Sequence, residues 1–191
     1  MMAPVRPPFD LPARLWIVGP PGSGKSTLAE ILAAGLGIAP TSLDDLHWEP
    51  GWIERSWEDL RARVEPVVRG PSWVVEGNYD RVRRPLIERA DLVVWLDLPL
   101  SVCLPRLLAR TFDRALRGTP CCNGNREGLL RTFTTKESIL WWALTMDRGR
   151  RAQLELELAG LPHVRLRHPA AVGRWLSASR PSVASVSGRR S

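Results

Sequence analysis

The residues Gly19-Pro20-Pro21-Gly22-Ser23-Gly24-Lys25-Ser26-Thr27 carry the densest chemistry in the chain. Gly22 and Gly24 permit backbone conformations that a Cβ would obstruct, so successive N–H groups can converge on one anionic oxygen. The match to G-x-x-x-x-G-K-[ST] has meaning only between a strand and a helix. That is its setting: Leu15-Trp16-Ile17-Val18 precedes it, and Leu28, Ile31, Leu32 and Leu36 follow at helical spacing. A helix beginning near Lys25 adds the positive end of its dipole. Lys25 is then expected to reach the β- and γ-phosphates of a nucleotide, Ser26 to ligate Mg²⁺, and Thr27 to touch the α-phosphate.

Carboxylates stand at strand ends where such chemistry would use them: Asp44 and Asp45, Glu76, and Asp97. Glu76 falls level with the phosphate loop, which suits holding Mg²⁺ through water or accepting a proton from an acceptor hydroxyl. Asp44 and Asp45 serve either an acceptor or the cap of a following helix. Asp97 is an alternative metal-side acid, although Asp-x-Pro also shapes turns.

These groups need a scaffold. Residues 15–18, 72–76 and 92–96 are continuous apolar runs without alternation, as expected of strands buried on both faces of a parallel sheet. Further strands are predicted over 39–43 and 164–166. Helices are predicted over 25–36 (stopped by Gly35 or Gly37), from Ser56 as N-cap with Asp59 three residues on, and over 100–117, 129–158 and 170–177. Residues 118–128, with Gly, Pro and Asn, read as a loop. Strands alternating with helices predict a three-layer α/β fold.

The chain of 191 residues has room for one domain with a sizeable core. The expected organisation is a flexible segment over 1–12, a domain over 13–176 and a disordered basic tail over 177–191. A composition of 44% hydrophobic and 25% charged residues excludes an intrinsically disordered class. No apolar run reaches the length of a membrane-spanning helix. The N-terminus, with Pro4, Pro7, Pro8 and Pro12, has no apolar run of signal-peptide length. Cys103 and the adjacent Cys121 and Cys122 make no disulfide framework, so reduced thiols in the cytoplasm are expected. The net charge of +7, nearly all of it from Arg, suits polyanions, nucleotide phosphates and nucleic acid alike.

An Asn-Lys-x-Asp guanine signature is missing, which argues against a GTPase. A motor ATPase would end a buried strand in Asp-Glu, whereas Leu96-Asp97 is followed by Leu98-Pro99. The phosphate loop, Leu96-Asp97-Leu98-Pro99, and Arg106 and Arg110 seven and eleven residues after that proline together resemble the adenylate-kinase-like P-loop kinases. The resemblance covers roughly residues 15–176. Leu43-Asp44-Asp45-Leu46-His47-Trp48, Pro50-Gly51-Trp52 and Glu76-Gly77-Asn78-Tyr79 are similar to one subgroup, the topology modulation (FlaR-like) proteins.

The resemblance implies a five-stranded parallel sheet of order 2-3-1-4-5, with ATP across its C-terminal edge and a lid over about 111–150. It implies that Arg106 packs on the adenine and Arg110 contacts phosphates. Arg106, Arg110, Arg114 and Arg117 share one helix face by spacing, which also describes a solvated basic face. It places the acceptor near Asp44 and Asp45. Trp48, Trp52 and Trp57 would stack on a planar acceptor or floor a core, and Asn78 and Tyr79 would bond the acceptor or serve structure. Where the nucleotide kinases carry Pro-Arg after this segment, Asp80-Arg81 stands, which weakens a nucleoside monophosphate as acceptor. Some family lids bind zinc through Cys-x-x-Cys pairs; adjacent Cys121 and Cys122 predict no zinc. On the helix beyond the lid, Arg148 or Arg151 is expected to stabilise charge on the transferred phosphoryl group.

The expected activity is transfer of the γ-phosphoryl of Mg-ATP to a nucleotide or hydroxylated metabolite, by a monomer or homodimer. The rival is an ATP-binding, nucleic-acid-associated regulator of DNA topology, in keeping with the basic charge.

Overall fold

The computed structural model describes residues 12–126 and 147–179. Residues 1–11, the basic tail from Arg180 onward and residues 127–146, half of the expected lid and much of the expected 129–158 helix, lie outside the described residues. The central sheet holds β1 (Arg14–Val18), β2 (Thr41–Ser42), β5 (Trp73–Glu76), β6 (Leu92–Leu96) and β9 (His163–Leu166). Its spatial order is β2-β5-β1-β6-β9, and every pairing is parallel. Counting the strands of this sheet alone, that is the expected 2-3-1-4-5.

Side-chain alternation divides the core. Trp16, Val18, Trp73, Val75, Val93 and Trp95 point to one face, where they meet Leu60, Val64 and Val68 of α3 (Trp57–Arg69), Leu86 of α4 (Arg83–Arg89) and Leu154 of α6 (Asp147–Glu157). Leu15, Ile17, Val74, Val94 and Leu96 point to the other, against Leu28, Ala29, Leu32 and Ala33 of α1 (Lys25–Leu36). Val172, Trp175 and Leu176 of α7 (Pro169–Ala178) pack on that same side. With both faces covered the strands read as unbroken apolar runs, and each fully buried Val, Leu or Ile contributes about 1.5–3 kcal/mol.

Helix ends follow the sequence cues. Ser56 Oγ accepts from the Asp59 N–H at 3.1 Å, capping α3. At the end of α1, Gly37 takes a left-handed conformation (φ 70°), and the Ile38 N–H reaches the Ala33 carbonyl at 3.0 Å.

The second strand departs from expectation. It stops at Ser42, and α2 (Leu43–His47) begins at once, with Asp44 and Asp45 in its first turn. Acidic side chains at a helix N-terminus favour that early start. Two small hairpins were not foreseen. β3 (Trp48–Glu49) pairs with β4 (Ile53–Glu54), and β7 (Pro120–Cys121) pairs with β8 (Asn125–Arg126) after α5 (Leu100–Arg117).

Candidate functional site

The phosphate loop runs from β1 to α1 at the C-terminal edge of the sheet. Its glycines are required by space as well as by conformation. A Cβ on Gly19 would stand 2.6 Å from the Leu96 carbonyl oxygen, and one on Gly22 (φ 77°) would stand 2.3 Å from the Cys103 carbonyl oxygen. The loop is therefore wedged between β6 and α5. Within it, the Ser23 N–H donates to Pro20 O at 3.2 Å and Lys25 Nζ to the same oxygen at 3.1 Å.

Lys25 and Ser26 meet Glu76 at the end of β5. Ser26 Oγ donates to Glu76 Oε1 at 3.1 Å. Burial pulls the Lys25 ammonium below its ordinary pKa, while the Glu76 and Asp44 carboxylates pull it back up and Arg110 pushes it down again. Burial pushes the Glu76 carboxyl up; Lys25 opposes, Asp44 adds to the rise, and the Ser42 and Ser26 hydroxyls lower it. Phosphate oxygens entering this pocket would favour the charged lysine. A serine hydroxyl beside one carboxylate is a hard oxygen set of the kind Mg²⁺ takes alongside water and phosphate, so these residues fit that ion.

Beside the loop lies a cleft of roughly 480 Å³, bounded by α1, α5 and α7. Thr27, Arg106 and Arg110 line it, with Ile31 and Val172 on its apolar walls. Ile31, expected on the core face of α1, is 37% exposed and faces this cleft instead. Arg110 Nε is buried with no hydrogen-bond partner among the described residues, as suits a donor awaiting an anion. Arg114 and Arg117 do not line the cleft; Arg117 pairs with Asp113 on the exposed side of α5.

On the β2–α2 side of the loop, where the sequence placed an acceptor, Tyr79 Oη donates to Asp44 Oδ1 at 2.6 Å. Burial and then Asp44 raise the Tyr79 phenol far above its ordinary pKa, so it stays a donor. Burial first, and Asp44 next, also raise the Asp45 carboxyl. Trp48, Trp52 and Trp57 are partly exposed and pack as an aromatic group apart from the two main core clusters. His47, not singled out from the sequence, joins Trp48 and Trp57, while Trp52 packs on Trp48 at 5.6 Å. The histidine is 1% exposed, bonded through Nε2 to Glu54 at 3.0 Å, stacked on Trp57 at 5.0 Å, with the edge of Trp48 at 5.1 Å.

Three sequence expectations change. Asn78 is engaged at both ends by the phosphate loop: Nδ2 donates to Gly19 O at 2.7 Å and Oδ1 accepts from Gly19 N at 3.3 Å. It ties the loop to β5 instead of turning its amide to an acceptor. Asp97, 6% exposed, is taken up by Arg165 at 2.8 Å, Arg151 at 3.0 Å and Arg167 at 3.6 Å, so it is an ion-pair hub and not a metal-side acid. Arg151, which also donates to Leu98 O at 3.2 Å, is accordingly held at the end of β6. The side chain of Arg148 lies outside the described residues. Among the described residues no group of His, Cys, Asp and Glu is arranged to hold a metal, Cys121 and Cys122 included, and no helix is long and apolar enough to cross a membrane.

Neither a protein-family model nor a curated protein matches the chain. Solved structures do. A shikimate kinase from Bacteroides thetaiotaomicron superposes with a TM-score of 0.52 at 16% identity, covering 87% of this chain and 97% of its own. A gluconokinase from Sinorhizobium meliloti and a sugar kinase from Janibacter each give 0.47 at 20% identity, covering 87% of this chain and 95% and 94% of theirs. At such identities the likeness is one of fold alone: a five-stranded parallel sheet flanked by helices, the P-loop NTPase fold.

Proposed function

We propose that the protein transfers the γ-phosphoryl group of Mg-ATP to a small acceptor, either a phosphate oxygen of a nucleotide or the hydroxyl of a metabolite. One observation carries this: Lys25, Ser26 and Glu76 meet at the end of β5, with the Ser26–Glu76 contact at 3.1 Å, beside a cleft flanked by Arg106 and Arg110. Bound Mg²⁺ would offset the charge of the phosphate oxygens. Ser26 and Glu76, the latter through water, are its proposed holders. The loop N–H groups from Gly19 to Ser26 and the Lys25 ammonium bind the phosphates, Arg106 packs on the adenine, and Arg110 meets phosphate oxygens from α5.

Across the loop, Asp44, Asp45, Trp48 and Tyr79 are the proposed acceptor contacts, with Glu76 placed to receive the hydroxyl proton. Arg148 remains the proposed partner for charge on the moving phosphoryl group. Many arginines on α3 and α4 are paired with carboxylates, among them Arg63 with Asp59, Arg69 with Glu65 and Arg84 with Glu88, which disfavours a continuous basic surface for nucleic acid. The finer likeness to topology modulation proteins rests on residues 43–52 and 76–79; its name suggests the nucleic-acid-associated regulator and says little about chemistry.

ADP release from Mg-ATP, measured across nucleoside monophosphates and hydroxylated metabolites, tests the proposal. An acceptor should raise turnover well above the ATP-only rate, and Lys25→Ala should lower that turnover by about 10³-fold. Background rates with every acceptor, despite ATP binding, would sink it; ATP-dependent nucleic-acid binding would then favour the regulator.

A further inference from the structure

The two unforeseen hairpins are fastened to each other. Asn125, 4% exposed, accepts from the Trp52 N–H through Oδ1 at 2.8 Å and donates through Nδ2 to Glu49 O at 2.8 Å and Cys122 O at 2.6 Å. Asn123 Nδ2 donates to Asp45 O at 2.5 Å and Trp48 O at 2.7 Å, and Trp52 Nε1 donates to Arg126 O at 3.1 Å. Apart from the Asn125–Cys122 bond inside its own hairpin, these bonds join segments more than 70 residues apart in sequence. Trp52 (φ 60°), Cys122 (φ 41°) and Asn123 (φ 60°) are also all the non-glycine residues with positive φ among those described. Each such conformation costs about 1–3 kcal/mol and persists only where surrounding contacts hold it. Here all three sit at one interface.

What the interface joins gives it meaning. The hairpin 120–126 continues from α5, whose Arg106 and Arg110 line the nucleotide cleft and whose Cys103 carbonyl packs against Gly22 of the phosphate loop. The hairpin 48–54 continues from α2, which carries Asp44 and Asp45. Asn123 bonds directly to the backbone of Asp45. A continuous chain of packed and hydrogen-bonded groups thus runs from the phosphate loop, along α5, to the acceptor carboxylates.

We propose that Asn123 and Asn125 are positioning residues which clasp the two hairpins, so that α5 and α2 respond together and nucleotide occupancy orders the acceptor segment before the acceptor arrives. Neither residue touches nucleotide or reacting atoms; each acts through the backbone of residues 45–52. Ordering by the first ligand then lowers the cost of binding the second, which is positive coupling between the two sides. The coupling rests on the nucleotide site proposed above, whereas the clasp itself does not.

Hydrogen exchange of the whole chain, with and without Mg-ADP, separates the two. In the wild type, Mg-ADP should slow exchange across residues 43–54 about tenfold, within the usual range for coupled sites. In Asn123→Ala and Asn125→Ala that slowing should vanish while Mg-ADP affinity, by calorimetry, changes less than about threefold, since neither residue lies in the nucleotide site. Asn123 is exposed, so its variant guards against a folding defect in Asn125→Ala. Slowing retained in both variants, or missing in a wild type that binds Mg-ADP, overturns the coupling. If Mg-ADP does not bind at all, the nucleotide proposal and the coupling fall together. The ligand-free comparison then judges the clasp: faster exchange over 48–54 in Asn125→Ala supports it, and equal exchange overturns it.

Discussion

The two sides of the site are built differently. On the nucleotide side, a short stretch of chain makes its own geometry: Lys25 bonds back to Pro20, Ser23 to Pro20, and α1 starts directly behind. On the proposed acceptor side, contacts between distant segments make the geometry. Asp44 is met by Tyr79, Asp45 and Trp48 by Asn123, and Trp52 by Asn125, contacts spanning 35 to 78 residues. Phosphate is a constant ligand and one loop geometry serves it, whereas acceptors differ, and short hairpins on a rigid sheet can be rebuilt without disturbing the loop. Mutations should therefore act as all-or-none on the first side and by degrees on the second.

Gly22→Ala is the largest expected break. Its Cβ meets the Cys103 carbonyl at 2.3 Å, a backbone atom that no rotamer change can move aside, at a φ of 77° that alanine tolerates poorly. Chemical denaturation should report a loss of about 3 kcal/mol, and nucleotide binding should fall by at least about 10²-fold because the loop N–H groups no longer converge. Near-normal binding would mean that the loop is not held by its wedge against α5.

Glu76→Gln comes next, because Glu76 borders both sides. Turnover should drop about 10²–10⁴-fold, the usual contribution of a group that moves or holds a proton. Its raised pKa also sets a sign. Between the unfolded and the higher folded value, the folded chain keeps a proton that the unfolded chain has released, so wild-type stability falls as pH rises above the ordinary glutamate range. The variant should lack this slope. The rising acid limb of the wild-type pH–rate profile should disappear with it. A variant with unchanged turnover would remove Glu76 from the chemistry.

The same contrast governs what the sequence conveys. The phosphate loop, the buried strands, Ser56 as N-cap and Gly37 as helix stop are local codes, in which a few neighbouring residues determine the outcome. Ile31 has the right spacing for the core yet faces a cleft, because the spacing places it on a helix face without saying what covers that face. Asn78 sits in an acceptor-like segment, but its amide is taken by Gly19, 59 residues away. Asp97 reads as a turn former and is instead neutralised by arginines that follow 54 to 70 positions later. The hairpins at 48–54 and 120–126 escape because two-residue strands carry no usable alternation; the positive φ values of Trp52, Cys122 and Asn123 have only Gly51 and Gly124 beside them as a hint.

Tyr79→Phe is the smallest and most selective change. Tyr79 packs its ring against the core cluster and donates a hydrogen bond to Asp44 at 2.6 Å, so removing the oxygen leaves the packing in place and frees one carboxylate. Asp44 is only half buried, and water can replace the lost donor; the stability cost should stay near about 1 kcal/mol. If Asp44 orients the acceptor, the same loss should appear as a roughly fivefold higher acceptor KM with kcat and the ATP KM unmoved. A fall in kcat without a change in KM would instead place Asp44 in the proton path. A parallel rise in the ATP KM would show that the acceptor carboxylate also steadies Lys25, a coupling its proximity to that ammonium allows, and the division between the two sides would then be less sharp than the hydrogen bonds alone indicate.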